Sequence, residues 1–167
     1  MPMFQRRLDA PAERLAVLPA AAQTAINDVV TSAIANWPIA PRVKRLVTPS
    51  YLYKREDFDH FTFIGAYRGD YLLGTAAVDR QPEAALDDAR EWLLHGLYVR
   101  PAEQGNGTGT RLVDALKSQA TLAGVSGIQV KAERHAIGFF EKQRFHRLAV
   151  TDPATDYPYR LRCDVTR

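Results

Sequence analysis

From Gln104 to Gly109 the chain reads Q-G-N-G-T-G, three glycines at alternate positions between a strand-like run and a helix-like one. Glycines at such a junction let the backbone approach a ligand closely. The free N–H groups of the following helical turn, at the positive end of its dipole, favour phosphate oxygens. The chemistry that suits this turn is therefore the grip of a phosphate-bearing ligand. A Walker loop needs Gly-Lys-Ser/Thr at its end, and here Gly109 is followed by Thr110 and Arg111. A dinucleotide-binding fingerprint fits no better: its third glycine would fall on Thr110, and its first belongs at the strand end rather than six residues after Val99.

Groups able to move protons stand just upstream. Strict alternation along Trp92–Val99 sets Leu93, His95, Leu97 and Val99 on one side and Leu94, Gly96 and Tyr98 on the other. His95 has an ordinary pKa near neutrality, which suits a base or a relay. Glu91 lies in phase with it on the same strand. The phenols of Tyr98, Tyr157 and Tyr159 are the candidate acids. Each has a plainer reading: a histidine packed beside its strand, a solvated strand-edge carboxylate, a buried or rim aromatic ring. Cys163, on a terminal strand, reads as a small core residue rather than a nucleophile.

The elements that must position these groups follow from periodicity. Phe4–Leu8 fits a short first strand. Ala20–Asn36 carries apolar residues at Ala22, Ile26, Val29, Val30, Ala33 and Ile34, continued by Trp37, the spacing of an amphipathic helix that Pro38 and Pro41 then stop. Residues 38 to 58, with three prolines, read as a loop containing a helical turn or two. Phe61–Tyr67 and Tyr71–Val78 form a hairpin around Arg68-Gly69-Asp70. Trp92–Val99 is the next strand, and Thr110–Ala123 a helix with Gly124 just past its end. Ile128–Ala132 is a buried-type strand, Ala136–Gln143 a short helix, and His146–Val150 and Tyr159–Val165 the last strands. This order is a mixed α/β layering within one domain spanning 1–167.

Composition narrows the class further. The 167 residues are 46% hydrophobic and 25% charged, ordinary for a globular domain able to bury its own core. A single cysteine excludes an internal disulfide framework, and four scattered histidines without HExxH give no metal site. No apolar run has the length of a membrane span. Arg6 and Arg7 precede L-A-V-L-P-A-A-A, a faint echo of a signal peptide, but Asp9, Glu13, Arg14 and Pro19 interrupt it, so the expected location is the cytoplasm. The net charge of +3 suits a polyanionic small ligand. A nucleic-acid reader is disfavoured, because basic and aromatic residues are not interleaved on any one module.

The spacing Gln104-x-x-Gly107-x-Gly109 after L-L-H-G-L-Y-V-R-P-A-E resembles the Q/R-x-x-G-x-G/A signature of the GNAT superfamily, the acyl-CoA-dependent N-acyltransferases. A-I-G-F-F-E-K-Q-R-F, Ala136 to Phe145, is similar to the later motif A-x-x-F/L-Y-x-K-x-G-F of the same family. The resemblance implies a GNAT fold, a mixed sheet of about six to seven strands flanked by about four helices, and acetyl transfer from acetyl-CoA to a primary amine without a metal. It implies that the backbone from Gln104 through Gly105, Asn106, Gly107, Thr108 and Gly109 to Thr110 cradles the pyrophosphate. It further implies that Leu97, Tyr98 and Val99 meet the pantetheine arm and carbonyl, and that Ala136, Phe139, Phe140 and Lys142 complete the donor site. Arg111 or the basic stretch after Lys131 is available to the 3′-phosphate region, and His95 falls where many relatives carry a glutamate used as base or water-holder.

Two departures bear on the chemistry. Phe140 stands where many relatives have the tyrosine that protonates the departing thiolate, and Arg144 replaces the glycine before the closing Phe145. Arginine is disfavoured at positive φ, so the turn at Arg144 is expected to be built differently. The alternative of another class is a GNAT-fold protein that binds acyl-CoA with little transfer, as a sensor or assembly partner. The acceptor stays open among aminoglycosides, polyamines, amino acids, peptide N-termini and protein lysines, with a homodimer common in the family.

Overall fold

A computed structural model describes residues 12–82 and 91–165. Among them, seven strands form one sheet in the order β1-β2-β3-β4-β5-β7-β6. These are β1 (Glu13–Leu18), β2 (Phe61–Arg68), β3 (Tyr71–Asp79), β4 (Glu91–Val99), β5 (Gly127–Lys131), β6 (His146–Arg147) and β7 (Arg160–Asp164). β4 and β5 run parallel; every other pair is antiparallel. Four helices accompany them: α1 (Gln23–Ala35), α2 (Pro41–Tyr51), α3 (Thr108–Leu122) and α4 (Ile137–Lys142).

Each face of the sheet is closed by the apolar stripe of a helix. Ile26, Val29, Val30, Ala33 and Ile34 of α1 pack with Phe63, Leu72, Ala77, Tyr53 and Tyr98 on one side. Val113, Leu116 and Ala120 of α3, with Ile137 and Phe140 of α4, cover Trp92, Leu94, Ile128, Val130 and Leu161 on the other. Cys163 belongs to this second core. The hairpin between β2 and β3 turns through Gly69 and Asp70, with Arg68 opposite Tyr71 as its spacing predicts.

Several expectations need correction. The segment Phe4–Leu8 lies outside the described residues, and the first described strand is Glu13–Leu18, which includes the apolar run L-A-V-L. Residues 38 to 58 contain a helix of three turns, α2, followed by a short 3-10 segment over Arg55–Asp59. The prolines did not forbid it: Pro41 opens the helix, where its missing N–H costs nothing, and Pro49 falls in the last turn. Lys44 Nζ from α2 caps the C-terminal carbonyl of Ala35 at 2.6 Å, tying α1 to α2. At the end of α4, Arg144 does take a left-handed conformation, φ 65°, so the turn keeps the geometry that a glycine would give it.

Alternation along β4 also fails, and for a definable reason. Ala77 opposes Gly96 while Val78 opposes Leu94, which leaves His95 as the extra residue of a β-bulge. His95 therefore turns away from Leu97 and Val99. Its ring stacks on Phe61 at 4.3 Å and lies with Tyr53 on the α1 side.

Candidate active site

β4 and β5 pair from Glu91↔Gly127 to Leu94↔Val130, and no further. β4 runs on to Val99, paired only with β3 beyond that point, so the sheet splits and the backbone from Leu97 to Val99 keeps one edge without a strand partner. The bulge at His95 lies where the split begins. Into this split opens a cavity of about 650 Å³, within the size range of small-molecule sites. Leu97, Tyr98 and Val99 form its floor, Gln104, Gly105, Gly107, Thr108, Gly109 and Thr110 one wall, and Ala136, Phe139 and Phe140 another.

The glycine turn has the geometry of an anion receptor. Gly105 and Gly107 both lie in the left-handed region, φ 79° and 84°, which L side chains adopt at a cost. Gly107 is also the N-cap of α3. The first intrahelical bond is Arg111 N–H to Gly107 O at 2.9 Å, so the amides of Thr108, Gly109 and Thr110 precede the hydrogen-bonded ladder at the positive end of a four-turn helix. Gln104 Nε2 donates to Val99 O at 3.3 Å, fastening the turn to the end of β4. Ion pairs brace it from behind. Arg68 holds Glu103 through two bonds of 3.0 and 2.9 Å and keeps its carboxyl below the usual range. Arg111 reaches Glu13 at 2.8 and 2.5 Å and the carbonyl of Asn106 at 3.1 Å.

The structure sorts the remaining candidates. Among the described residues Tyr98 is the only phenol in the cavity lining, and burial holds its pKa well above the ordinary value, so it stays protonated. His95 is outside the lining; its Nδ1 lies 3.1 Å from the Tyr53 hydroxyl. Although His95 is an exposed residue, its ring is pressed against Phe61 and Tyr53, and that loss of water lowers its pKa. Tyr53 and Tyr98 meet over Gly96, where a Cβ would stand 2.4 Å from Tyr53 Oη and 2.7 Å from Tyr98 Cε2. Glu91 is at the other end of β4, six residues from Leu97, or roughly 20 Å along the strand. There it is buried and accepts bonds from Gln129 Nε2 at 2.7 Å and Arg162 Nε at 2.5 Å. Asn106 and Lys142 do not line the cavity, and Lys142 is exposed. Tyr157 donates to Ala132 O at 2.8 Å, and Tyr159 packs edge-on against it, both away from the lining.

Sequence reasoning missed one side of the cavity altogether. Ala33, Asn36, Trp37 and Pro38, at the end of α1, line it together with Glu103 and His135. In the sequence Trp37 reads only as the end of the apolar helix stripe; its place in the lining follows from the packing of α1 on β3 and β4.

Comparison with known proteins agrees with this architecture. The acetyltransferase (GNAT) family pattern matches residues 31–145, more than two-thirds of the chain, and the chain belongs to that family. PaiA N-acetyltransferase from Thermoplasma acidophilum, solved in complex with coenzyme A, superposes with a TM-score of 0.74 over 92% of this chain and 99% of that one, at 14% identity. A GNAT family acetyltransferase from Brucella melitensis in complex with acetyl-CoA gives a TM-score of 0.62 over 90% and 95%, at 16% identity. The ribosomal-protein-S18-alanine N-acetyltransferase from Escherichia coli gives 0.63 over 93% and 96%, at 15% identity. No curated protein matches the chain. At these identities the structures share the fold. No helix among the described residues is long and apolar enough to cross a membrane.

Proposed function

We propose that this protein transfers an acetyl group from acetyl-CoA to a primary amine by direct attack within a ternary complex, in the cytoplasm. The observation that carries the reading is the split between β4 and β5, which joins an unpaired strand edge to a left-handed glycine turn at a helix start. An extended pantetheine-like arm suits such an edge as an added strand would, and a pyrophosphate suits the turn. Acetyl-CoA supplies the thioester carbonyl and a thiol leaving group. The chain's part is to bind, orient and move protons. The Leu97–Val99 backbone orients the donor, and the amides from Gln104 to Thr110 receive its phosphates. Phe139 and Phe140 keep water from the cleft.

The phenol of Tyr98, protonated at every physiological pH, is the proton donor on the cavity side. His95, kept neutral by its packing, is the acceptor for the proton that the amine must lose. That proton passes along the hydroxyls of Tyr98 and Tyr53, which meet over Gly96, to His95 Nδ1 at 3.1 Å from the Tyr53 hydroxyl. It returns the same way to Tyr98 once that phenol has protonated the thiolate. This division of labour answers the absence of a phenol at position 140. A second reading, acyl-CoA binding with little transfer, draws on that same absence: Phe140 is 4% exposed and packs edge-on against Phe139 and Phe145, with no hydroxyl to offer.

Release of free CoA thiol across a panel of amines distinguishes the two. Turnover that is lost in Tyr98→Phe while acetyl-CoA still binds is the expected result. Turnover absent in the wild type and gained in Phe140→Tyr would favour the binding-only reading.

A further inference from the structure

Beside the cavity, three elements bring together rings and one carboxylate. Trp37 follows α1, Tyr51 ends α2, and Glu133 and His135 belong to the connection from β5 to α4. Trp37 meets Tyr51 edge to face, centroids 5.2 Å apart at 89°, and His135 at 5.0 Å. Trp37 and His135 line the cavity. The Tyr51 hydroxyl donates to Glu133 Oε1 at 2.5 Å, fixing the carboxylate beside these rings. Glu133 stands two residues before His135, which lines the cavity, so the carboxylate that Tyr51 holds lies at the cavity's margin.

Glu133 is half-buried and forms no ion pair with any described Lys, Arg or His, whereas Glu13, Glu91, Glu103 and Glu141 each hold an arginine. A half-buried carboxylate held in place by a phenol and left without a cation favours an incoming one, and a tryptophan face adds to that preference. Resting on the acetyl-transfer reading, we infer that the acceptor is an organic dication, whose non-reacting ammonium is received by Glu133 beside Trp37 and Tyr51. The separation of roles has a physical reason. A carboxylate against the reacting nitrogen would hold it as ammonium and suppress attack, so the charge is best spent on a second cationic group. The same carboxylate repels an acceptor that ends in a carboxylate.

The test uses three acceptors that share a four-carbon chain: 1,4-diaminobutane, n-butylamine and 4-aminobutanoate. CoA release is expected to be most efficient with the diamine and least with the amino acid. Glu133→Gln, which keeps an acceptor oxygen for Tyr51, should raise the diamine KM about tenfold while leaving kcat and the acetyl-CoA KM near wild type, and should leave n-butylamine unaffected. Trp37→Leu should weaken the diamine more than Trp37→Phe does. Equal loss for diamine and monoamine, or an unchanged diamine KM in Glu133→Gln, would overturn the assignment. If acetyl-CoA binds but no amine releases CoA, the transfer reading fails by itself. Calorimetric titration of 1,4-diaminobutane into the CoA-saturated protein then decides the site: binding that Glu133→Gln abolishes upholds it, and no binding overturns it.

Discussion

Replacing Gly107 by alanine tests the glycine turn at its most demanding position. The residue sits at φ 84°, ψ 3°, a conformation that costs an L-residue about 1–2 kcal/mol. The new Cβ would also stand 2.9 Å from Arg111 Nη1, but that atom is the end of a flexible side chain and moves cheaply. For a domain of this size each kcal/mol shifts Tm by about 2–4 °C, so the unliganded variant should melt roughly 2–8 °C below wild type. Acetyl-CoA at 100 times its Kd stabilises the wild type by about 2.7 kcal/mol; a tenfold weaker complex at the same concentration leaves about 1.4 kcal/mol, half the shift. Gly109→Ala is the matched control. Position 109 is helical, its Cβ would meet Phe139 at 3.3 Å, and alanine is favoured over glycine in a helix by up to about 1 kcal/mol. With the Phe139 ring giving way by a few tenths of an ångström, that variant should melt close to the wild-type temperature. Thermal unfolding with and without acetyl-CoA reads all of these values. A Gly107→Ala protein with the wild-type Tm would refute the strain argument, and one with the full acetyl-CoA shift would refute the cradle.

Three further outcomes follow from particular contacts. Arg144→Gly relieves the left-handed backbone after α4 and should raise Tm by an amount worth up to about 1 kcal/mol, with a lowered Tm counting against the strain. Arg162→Ala strips buried Glu91 of its charged partner and should cost about 3 kcal/mol in denaturant unfolding, the low end for a buried pair because Arg162 keeps a fifth of its side chain in water. Its kcat should hold, since Glu91 lies far from the cleft; a collapse of kcat in a folded variant would return Glu91 to the catalytic candidates. His95 has a folded pKa below its unfolded one, so the unfolded chain binds more protons between the two values, and stability rises with pH across that window and is lower on its acid side. Turnover should follow the neutral ring, falling as pH drops through the folded pKa, and a pH–rate profile of His95→Gln without that acid limb is the expected check.

The glycine turn was legible because its function is written in consecutive residues: Gly105 and Gly107 are glycines for backbone reasons that hold whatever surrounds them. The hairpin, α3 and both cores were legible for a similar reason, since periods of two and of 3.6 record which face is buried. Residues 38 to 58 were not, because a proline's effect depends on its position in the helix. Pro41 and Pro49 look alike in sequence, yet one opens a helix and the other sits in its last turn. The wall made by Trp37 and His135 is joined only in space, across about a hundred residues of sequence.

His95 carries the sharpest case. Alternation placed it beside Leu97 and Val99, facing the donor cleft, and one extra residue in β4 against β3 reverses that placement. Nothing in W-L-L-H-G-L-Y-V marks the bulge, although Gly96 is its physical consequence: with His95 and Tyr98 on one side of the sheet, Tyr53 fills the space where a Cβ at position 96 would stand. The bulge also occurs where β5 stops following β4, so the irregularity that withdraws the histidine from the cleft coincides with the opening of the cleft. A histidine in the regular register would stand in the donor's path. Displaced, it can act there only through the phenols beside it. Tyr53→Phe should therefore slow turnover as much as His95→Gln does, leave acetyl-CoA affinity intact and remove the same acid limb from the pH–rate profile; a Tyr53→Phe protein with the wild-type profile would mean that His95 works without it or not at all.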